Sequence, residues 1–161
     1  MAANVGRTVK RWTNFILHDS AGVLRAIPVD SINGVGLTYP EADLTAFQDA
    51  LKGALPDTPE CVIDITGPVD NSVATASPAL SGSHTVLSAL AGGVTPLSLD
   101  VQIGIRHAWE AGEPQFGITK SATSGFLCLS YTVDPGTQRY SAKFGMFPGS
   151  SAPAWGVASE V

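Results

Sequence analysis

Apolar and polar side chains alternate most clearly in "LSLDVQIGIRH", where Leu97, Leu99, Val101, Ile103 and Ile105 interleave with Ser98, Asp100, Gln102, Gly104 and Arg106. Successive strand side chains point to opposite faces, so a period of two predicts a strand with one buried face. The period returns in "GFLCLSYTV", with Leu127, Leu129, Tyr131 and Val133 on one face, and in "RYSAKFGMF", with Tyr140, Ala142, Phe144 and Met146 on one face. The "DPGTQ" between them supplies a turn, so the two runs predict a hairpin. Upstream, "VKRWTNFIL" sets Val9, Arg11, Thr13, Phe15 and Leu17 against Lys10, Trp12, Asn14 and Ile16. The turn residues "HDSAG" end that run, and "VLRAIPV" reads as a return strand that Pro28 closes or confines to an edge. "ECVIDIT" sets Cys61, Ile63 and Ile65 against Val62, Asp64 and Thr66. Six or seven turn-separated strands predict a mainly β fold, an antiparallel β-sandwich or barrel.

Helix signals are few. In "GSHTVLSALAGG", Ser83 can cap, Val86, Leu87 and Leu90 fall at helical spacing, and Gly92 and Gly93 stop the run. One short α-helix over 83–91 follows, which needs a sheet face to pack on. "EADLTAFQDALKGALPD" lines Leu44, Phe47, Leu51 and Leu55 on one helical face, yet "NGVGLTYP" and "PDTPE" on its flanks are turn-rich. It reads either as helix or as a long excursion from the sheets, a kind of connection that is usually functional or mobile. The small-residue spacer "PVDNSVATASPALSG" is expected to be a low-order connector between a strand and the helix. No internal repeat and no linker divides the 161 residues, so they are expected to form one domain.

Charge narrows the partners. A net charge of −5 and an isoelectric point near 4.9 exclude a surface that grips phosphates, which requires clustered Lys and Arg. Arg7, Lys10 and Arg11 form the only local basic run, suited to a solvated strand face or to an acidic neighbouring subunit. The opening "MAANVGRTVKRWTNF" lacks the apolar core of a signal peptide, and no stretch approaches the ~18 apolar residues of a membrane span. The expectation is therefore a chain neither exported by a leader nor inserted in a membrane. Cys61 and Cys128 each lie in an apolar run and read as buried free thiols.

Candidate chemistry is absent from the pattern. His18, His84 and His107 are scattered, and no HExxH, CxxC or Asp-rich calcium loop occurs, so no metal or cofactor is expected. No G-x-S-x-G elbow or phosphate-binding glycine loop appears. The carboxylate pairs Glu41 with Asp43 and Glu110 with Glu113 read as solvated loop charges, because catalytic carboxylates need burial or a close like charge. The chain is expected not to be an enzyme. Trp12, Trp109 and Trp155 are too dispersed for a carbohydrate-binding face; Trp155, in "APAWGV", is expected to seat against the β domain or a neighbouring subunit.

Taken in order, "RWTNFILHDSAGVLRAIPVDSINGVG", "ADLTAFQDALKGALPDTPECVIDITGPVDN", "GSHTVLSAL", "LSLDVQIGIR" and the closing "PAWG" resemble the major tail tube proteins of long, non-contractile-tailed bacteriophages, from about Arg11 to Trp155. The resemblance implies a β-sandwich or barrel flanked by one helix, with subunits in hexameric rings that stack into a hollow tube conducting DNA during ejection. It implies contacts between stacked rings through a long loop, here 33–59, and an N-terminal arm, here 1–7, and so favours reading 33–59 as an excursion. Implied partners are further copies of the chain, the tape measure, the tail tip and the terminator. The implied location is the virion after assembly in the host cytoplasm. An acidic chain suits a bore through which DNA slides unbound, through repulsion screened within about 8–10 Å. Lys52 is the only base between Gly34 and Thr58, so Leu37, Tyr39, Leu44, Phe47 and Leu51 are expected to carry the contacts, with Arg7 and Trp155 completing the interface. Strands of adjacent subunits can pair edge to edge, removing exposed sheet edges. Two rival roles share this composition: a capsid decoration (cement) protein, and a tail terminator or stopper that forms a single ring.

Overall fold

The structure is a computed structural model and describes residues 13–19, 21–77, 79–104 and 113–157. The expected arm over 1–7, with Arg7, lies outside the described residues, as do Lys10, Arg11, Trp12, Ile105, His107, Trp109 and Glu110. In chain order the elements are β1 (Thr13–His18), β2 (Leu24–Ile27), β3 (Ser31–Asn33), β4 (Glu41–Asp43), β5 (Ala54–Pro56), β6 (Val62–Pro68), α1 (Ser83–Leu90), β7 (Leu99–Ile103), β8 (Pro114–Ile118), β9 (Phe126–Asp134), β10 (Arg139–Met146) and β11 (Ala154–Val157). They build a five-stranded sheet in the order β11-β8-β7-β1-β2, a four-stranded sheet in the order β3-β6-β10-β9, and a separate β4-β5 hairpin. All strand pairings within them are antiparallel. The fold is mainly β and sandwich-like, with one short helix.

The inward faces follow the alternation. Phe15, Leu17, Leu99, Val101 and Phe116 of the first sheet meet Ile63, Ile65, Cys128, Tyr140, Ala142 and Phe144 of the second in one buried cluster. Phe15 and Phe144 pack with ring centroids 5.5 Å apart. Each such side chain contributes roughly 1.5–3 kcal/mol by leaving water. The buried Tyr140 hydroxyl donates a 2.6 Å hydrogen bond to the Pro28 carbonyl, where the chain passes from β2 to β3. Gly67 makes room there, since a Cβ would stand 2.7 Å from that same oxygen.

Two departures from simple alternation have local causes. In β9 the expected face of Leu127, Leu129, Tyr131 and Val133 does not hold throughout: Phe126 and Cys128 are buried and Leu129 is exposed. Lys143 pairs with Ser130 but Phe144 with Cys128, so Leu129 is an extra residue, a β-bulge. The bulge moves the inward set from even to odd positions, and Tyr131 then packs on the core beside Ala142 and Tyr140. In the first sheet Asn14, Ile16 and Gln102 are buried although they lie on the face opposite Phe15. Their polar atoms form a cross-strand chain: Asn14 Nδ2 donates to Gln102 Oε1 (3.3 Å), Gln102 Nε2 to Gln115 Oε1 (3.1 Å), and Gln115 Nε2 to Asp100 Oδ1 (3.2 Å). Buried amides are tolerated when paired in this way.

Helix α1 buries Val86, Leu87 and Leu90 as its spacing predicts. Ser83 is not its cap. Gly82 takes that position, because a Cβ there would lie 2.1 Å from the Ser72 carbonyl. The Ser83 hydroxyl instead donates to the Pro68 carbonyl (2.8 Å) and accepts from the Asp70 amide (3.0 Å), tying the helix start to the end of β6. Past the helix, the Gly92 amide donates to the Cys128 carbonyl on β9 (3.0 Å). The spacer is not a loose connector either. Ser77 and Ser81 amides donate to Leu24 and Ala26 carbonyls (2.9 Å each), Leu80 bridges Ala26 in parallel, and the Ser81 hydroxyl donates to the Thr75 carbonyl (2.6 Å). The segment lies along the otherwise open edge of β2.

Two stability predictions follow from these contacts. Tyr140→Phe leaves the Pro28 carbonyl without this donor and should cost about 1–2 kcal/mol in urea unfolding. In the turn after β1, Asp19 accepts from Ala21 and Val23 amides (2.9 and 3.0 Å) and from Arg25 Nε (2.7 Å). Burial alone would raise the Asp19 carboxyl, but the Arg25 guanidinium and the two amides outweigh it and hold it below the ordinary value. A depressed carboxylate stabilises the fold above its unfolded value, about pH 3.9, and that stabilisation is lost as the pH falls through the folded value. Asp19→Asn should therefore be less stable than the parent at pH 7, and the gap should close on acidification below about pH 4.

Candidate assembly surface

The excursion over 33–59 is a projecting β-hairpin arm. Its root is fixed where Gly34 (φ +84°) passes β6: a Cβ at that position would stand 2.0 Å from the Val62 carbonyl. Thr38 and Glu60 then exchange backbone hydrogen bonds of 2.9 and 2.8 Å, and β4 pairs β5 beyond them. The tip is tied by local polar contacts. Thr45 N donates to Asp43 Oδ1 (2.9 Å), Leu44 N to the Gly53 carbonyl (2.9 Å), Gly53 N to Thr45 Oγ1 (2.8 Å) and Ala46 N to Asp49 Oδ2 (2.8 Å). Contacts from the amide and hydroxyl of Thr45 hold the Asp43 carboxyl below its usual range. These side-chain bonds offer the backbone an alternative to helix, which explains why the helical spacing of Leu44, Phe47, Leu51 and Leu55 produces no helix.

The arm leaves its apolar side chains uncovered. Phe47 is fully exposed, Leu51 is 84% exposed, and Leu44, Leu55 and Tyr39 are exposed by half or more. Leu37, at the root, is half-buried and packs against the core. Trp155 lies on edge strand β11, half-exposed, its ring 5.1 Å from Phe116 and near Gly36 at the arm root. The structure thus places Leu44, Phe47 and Leu51 on the arm beyond its root, and Leu37 and Trp155 beside the root. Leu55, on β5 opposite Ala42, is exposed too and was not among the expected contacts, although its place on the same helical face in the sequence could have revealed it.

Sheet edges complete the surface. The spacer occupies the β2 edge, and the turn after α1 reaches the start of the β9 edge at Cys128. Strand β3 pairs only β6, β11 pairs only β8, and β9 beyond its bulge pairs only β10 among the described residues.

Catalytic geometry is not assembled among the described residues. No group of three or more His, Cys, Asp or Glu side chains converges as a metal site. Cys61 and Cys128 are free and buried, and burial pushes the Cys128 thiol up to about 11, so it stays protonated at neutral pH. His84 Nδ1 lies 3.0 Å from the Tyr131 hydroxyl on the surface. Glu41 and Asp43 are exposed on β4, as solvated charges. Glu113 is not: it is buried, because it directly precedes β8, where the sheet and not a loop sets its surroundings.

No protein-family model and no curated protein sequence matches the chain. Among solved structures, a chain in the cryo-EM structure of the anti-feeding prophage cap, a tube-terminating cap, is similar with a TM-score of 0.56 and 11% identity, over 98% of this chain and 95% of that one. A chain in the extended sheath–tube complex of PVC, an extracellular contractile injection system, is similar with a TM-score of 0.52 and 10% identity, over 89% of this chain and 88% of that one. The chain therefore has a fold that also occurs in these two tube assemblies.

Proposed function

We propose that the chain is the repeating subunit of a hollow tube, a structural protein without enzymatic activity. Copies join as rings, with hexamers as the expected ring, and the rings stack into the tail tube of a long, non-contractile-tailed phage. The observation that carries this reading is the arm, which holds five large apolar side chains in water on a hydrogen-bonded hairpin. Covering each would contribute roughly 1.5–3 kcal/mol, an incentive realised only on assembly. The fold likeness supports it, since both similar structures are tube assemblies by their names.

The sheet edges say how rings would close. With the β2 edge occupied, continuation of the five-stranded sheet from copy to copy is blocked on one side. The four-stranded sheet keeps β3 at one edge and the later part of β9 at the other, the head-to-tail arrangement a closed ring needs. Its outward face carries Asp64 opposite Lys143 and Arg139 opposite Asp134, among Thr66, Ser130, Thr132 and Ser141. Such a wall of hydroxyls and balanced charge would let DNA pass without holding it. The tape measure, the tail tip and the terminator would be its partners, within the virion and after assembly in the host cytoplasm.

A second reading has one specific support: the likeness that spans 98% of the chain is to a chain in a tube-terminating cap. A terminator would form a single ring and stop. Negative-stain electron microscopy of the concentrated chain, with its mass in solution, separates the two: hollow rods support the tube, single rings the terminator, and only monomers or trimers that bind empty capsids would support a decoration protein. Phe47→Asp should leave subunit stability within about 0.5 kcal/mol, as an exposed site, yet abolish rods. Parent-length tubes from that variant would count against the arm.

A further inference from the structure

We propose that the apolar tip of the β4-β5 arm docks in the groove beside Lys120 of the adjacent copy in the same ring, clasping the joint between one copy's β3 edge and the next copy's β9 edge. The inference rests on the ring reading above and names the receptor for its arm.

The groove, about 470 Å³, lies between Val94, Thr95 and Pro96 after the helix, Lys120 and Ala122 after β8, and Phe147 after β10. All three segments are gathered at the start of β9. Leu97 and Phe126 exchange backbone hydrogen bonds of 2.8 and 2.9 Å, Phe147 N donates to the Gly125 carbonyl (3.0 Å), and Lys120 N donates to Ser98 Oγ (2.8 Å). The arm leaves from the opposite edge of the same sheet, just past β3, and at the same end of the sandwich, since Gly34 abuts Val62, which pairs with Gly145. A head-to-tail ring brings β3 of one copy beside β9 of the next, and so brings arm and groove to one joint. The nine residue steps from Thr38 to Phe47 extend up to about 30 Å, several times the roughly 4.8 Å between paired strands, so reach is ample.

Charge favours this groove among the described bases. Among the described bases, Arg25 pairs with Asp19, Arg139 with Asp30, Lys143 faces Asp64 across the strands, and Lys52 is on the arm itself. Lys120 is the base left over, and it stands beside the exposed Val94 and the ring of Phe147. The arm offers the complement: exposed Phe47 and Leu51 with Glu41, Asp43, Asp49, Asp57 and Glu60 against one Lys52. An apolar anchor with charged surroundings of the opposite sign gives both affinity and register.

The test uses the full chain. In the double variant Gln48→Cys with Ala122→Cys, oxidation of assembled material should give a ladder of covalent oligomers ending at the ring number, with the two native thiols buried and silent. Rings or tubes of normal appearance with no ladder would overturn the proposal. Lys120→Glu should lower ring yield at least about tenfold, a penalty of about 1.4 kcal/mol, while Lys120→Arg keeps it. Parental ring yield from Lys120→Glu, or intact single rings that only fail to stack, would place the arm elsewhere and also overturn it. A parental chain that forms no oligomer would instead remove the ring reading itself.

Discussion

Every strand at the border of a sheet presents unpaired N–H and C=O groups, and the architecture of this protein is organised around which of those borders are closed and which are left open. The spacer between β6 and the helix closes β2 by donating from Ser77 and Ser81. The turn after the helix closes only the first part of β9. Among the described residues, what remains open is one edge at each side of the four-stranded sheet, together with the short β11 and the β4-β5 hairpin. A closed assembly would satisfy such edges without inviting indefinite aggregation, because head-to-tail pairing that closes leaves no free end.

The same distinction applies to apolar surface. Inside the sandwich the large side chains are fully covered: Phe15, Phe116, Phe126, Phe144 and Tyr140 are all inaccessible. On the arm the reverse holds, and the hairpin keeps its shape through polar contacts made by Asp43, Thr45 and Asp49 without help from the apolar side chains. An element stabilised locally by hydrogen bonds and left apolar at its surface can hold that surface ready for a partner. Its acidity, together with the shortage of free bases elsewhere among the described residues, limits which of the described surfaces can receive it.

Part of the exposed apolar arm was legible in the sequence. Leu44, Phe47 and Leu51 stood out because they are large and apolar within a segment bounded by turn residues whose only base is Lys52. The groove beside Lys120 was not legible, since it is built from three short segments that become neighbours only when the two sheets come together, through Leu97 with Phe126, Phe147 with Gly125 and Lys120 with Ser98. The resemblance to tail tube proteins was carried by the order of short runs, and the fold likeness to two tube assemblies agrees with it at the level of fold.

Local periodicity by itself determined β1, β6, β7 and β10 and the buried face of the helix, because a strand or helix with one buried side must write its period into its own residues. It did not determine the short strands β3, β4, β5, β8 and β11. The tertiary structure alone decided the bulge at Leu129, which appears only when Lys143 and Phe144 are matched to Ser130 and Cys128. It decided too that the spacer is an edge cover, through contacts between Leu80 and Ala26, more than fifty residues apart. In the arm, Asx-type bonds prevailed over helical spacing because a helix that short needs a surface to pack on, and within one subunit the exposed face of Leu44, Phe47 and Leu51 meets none.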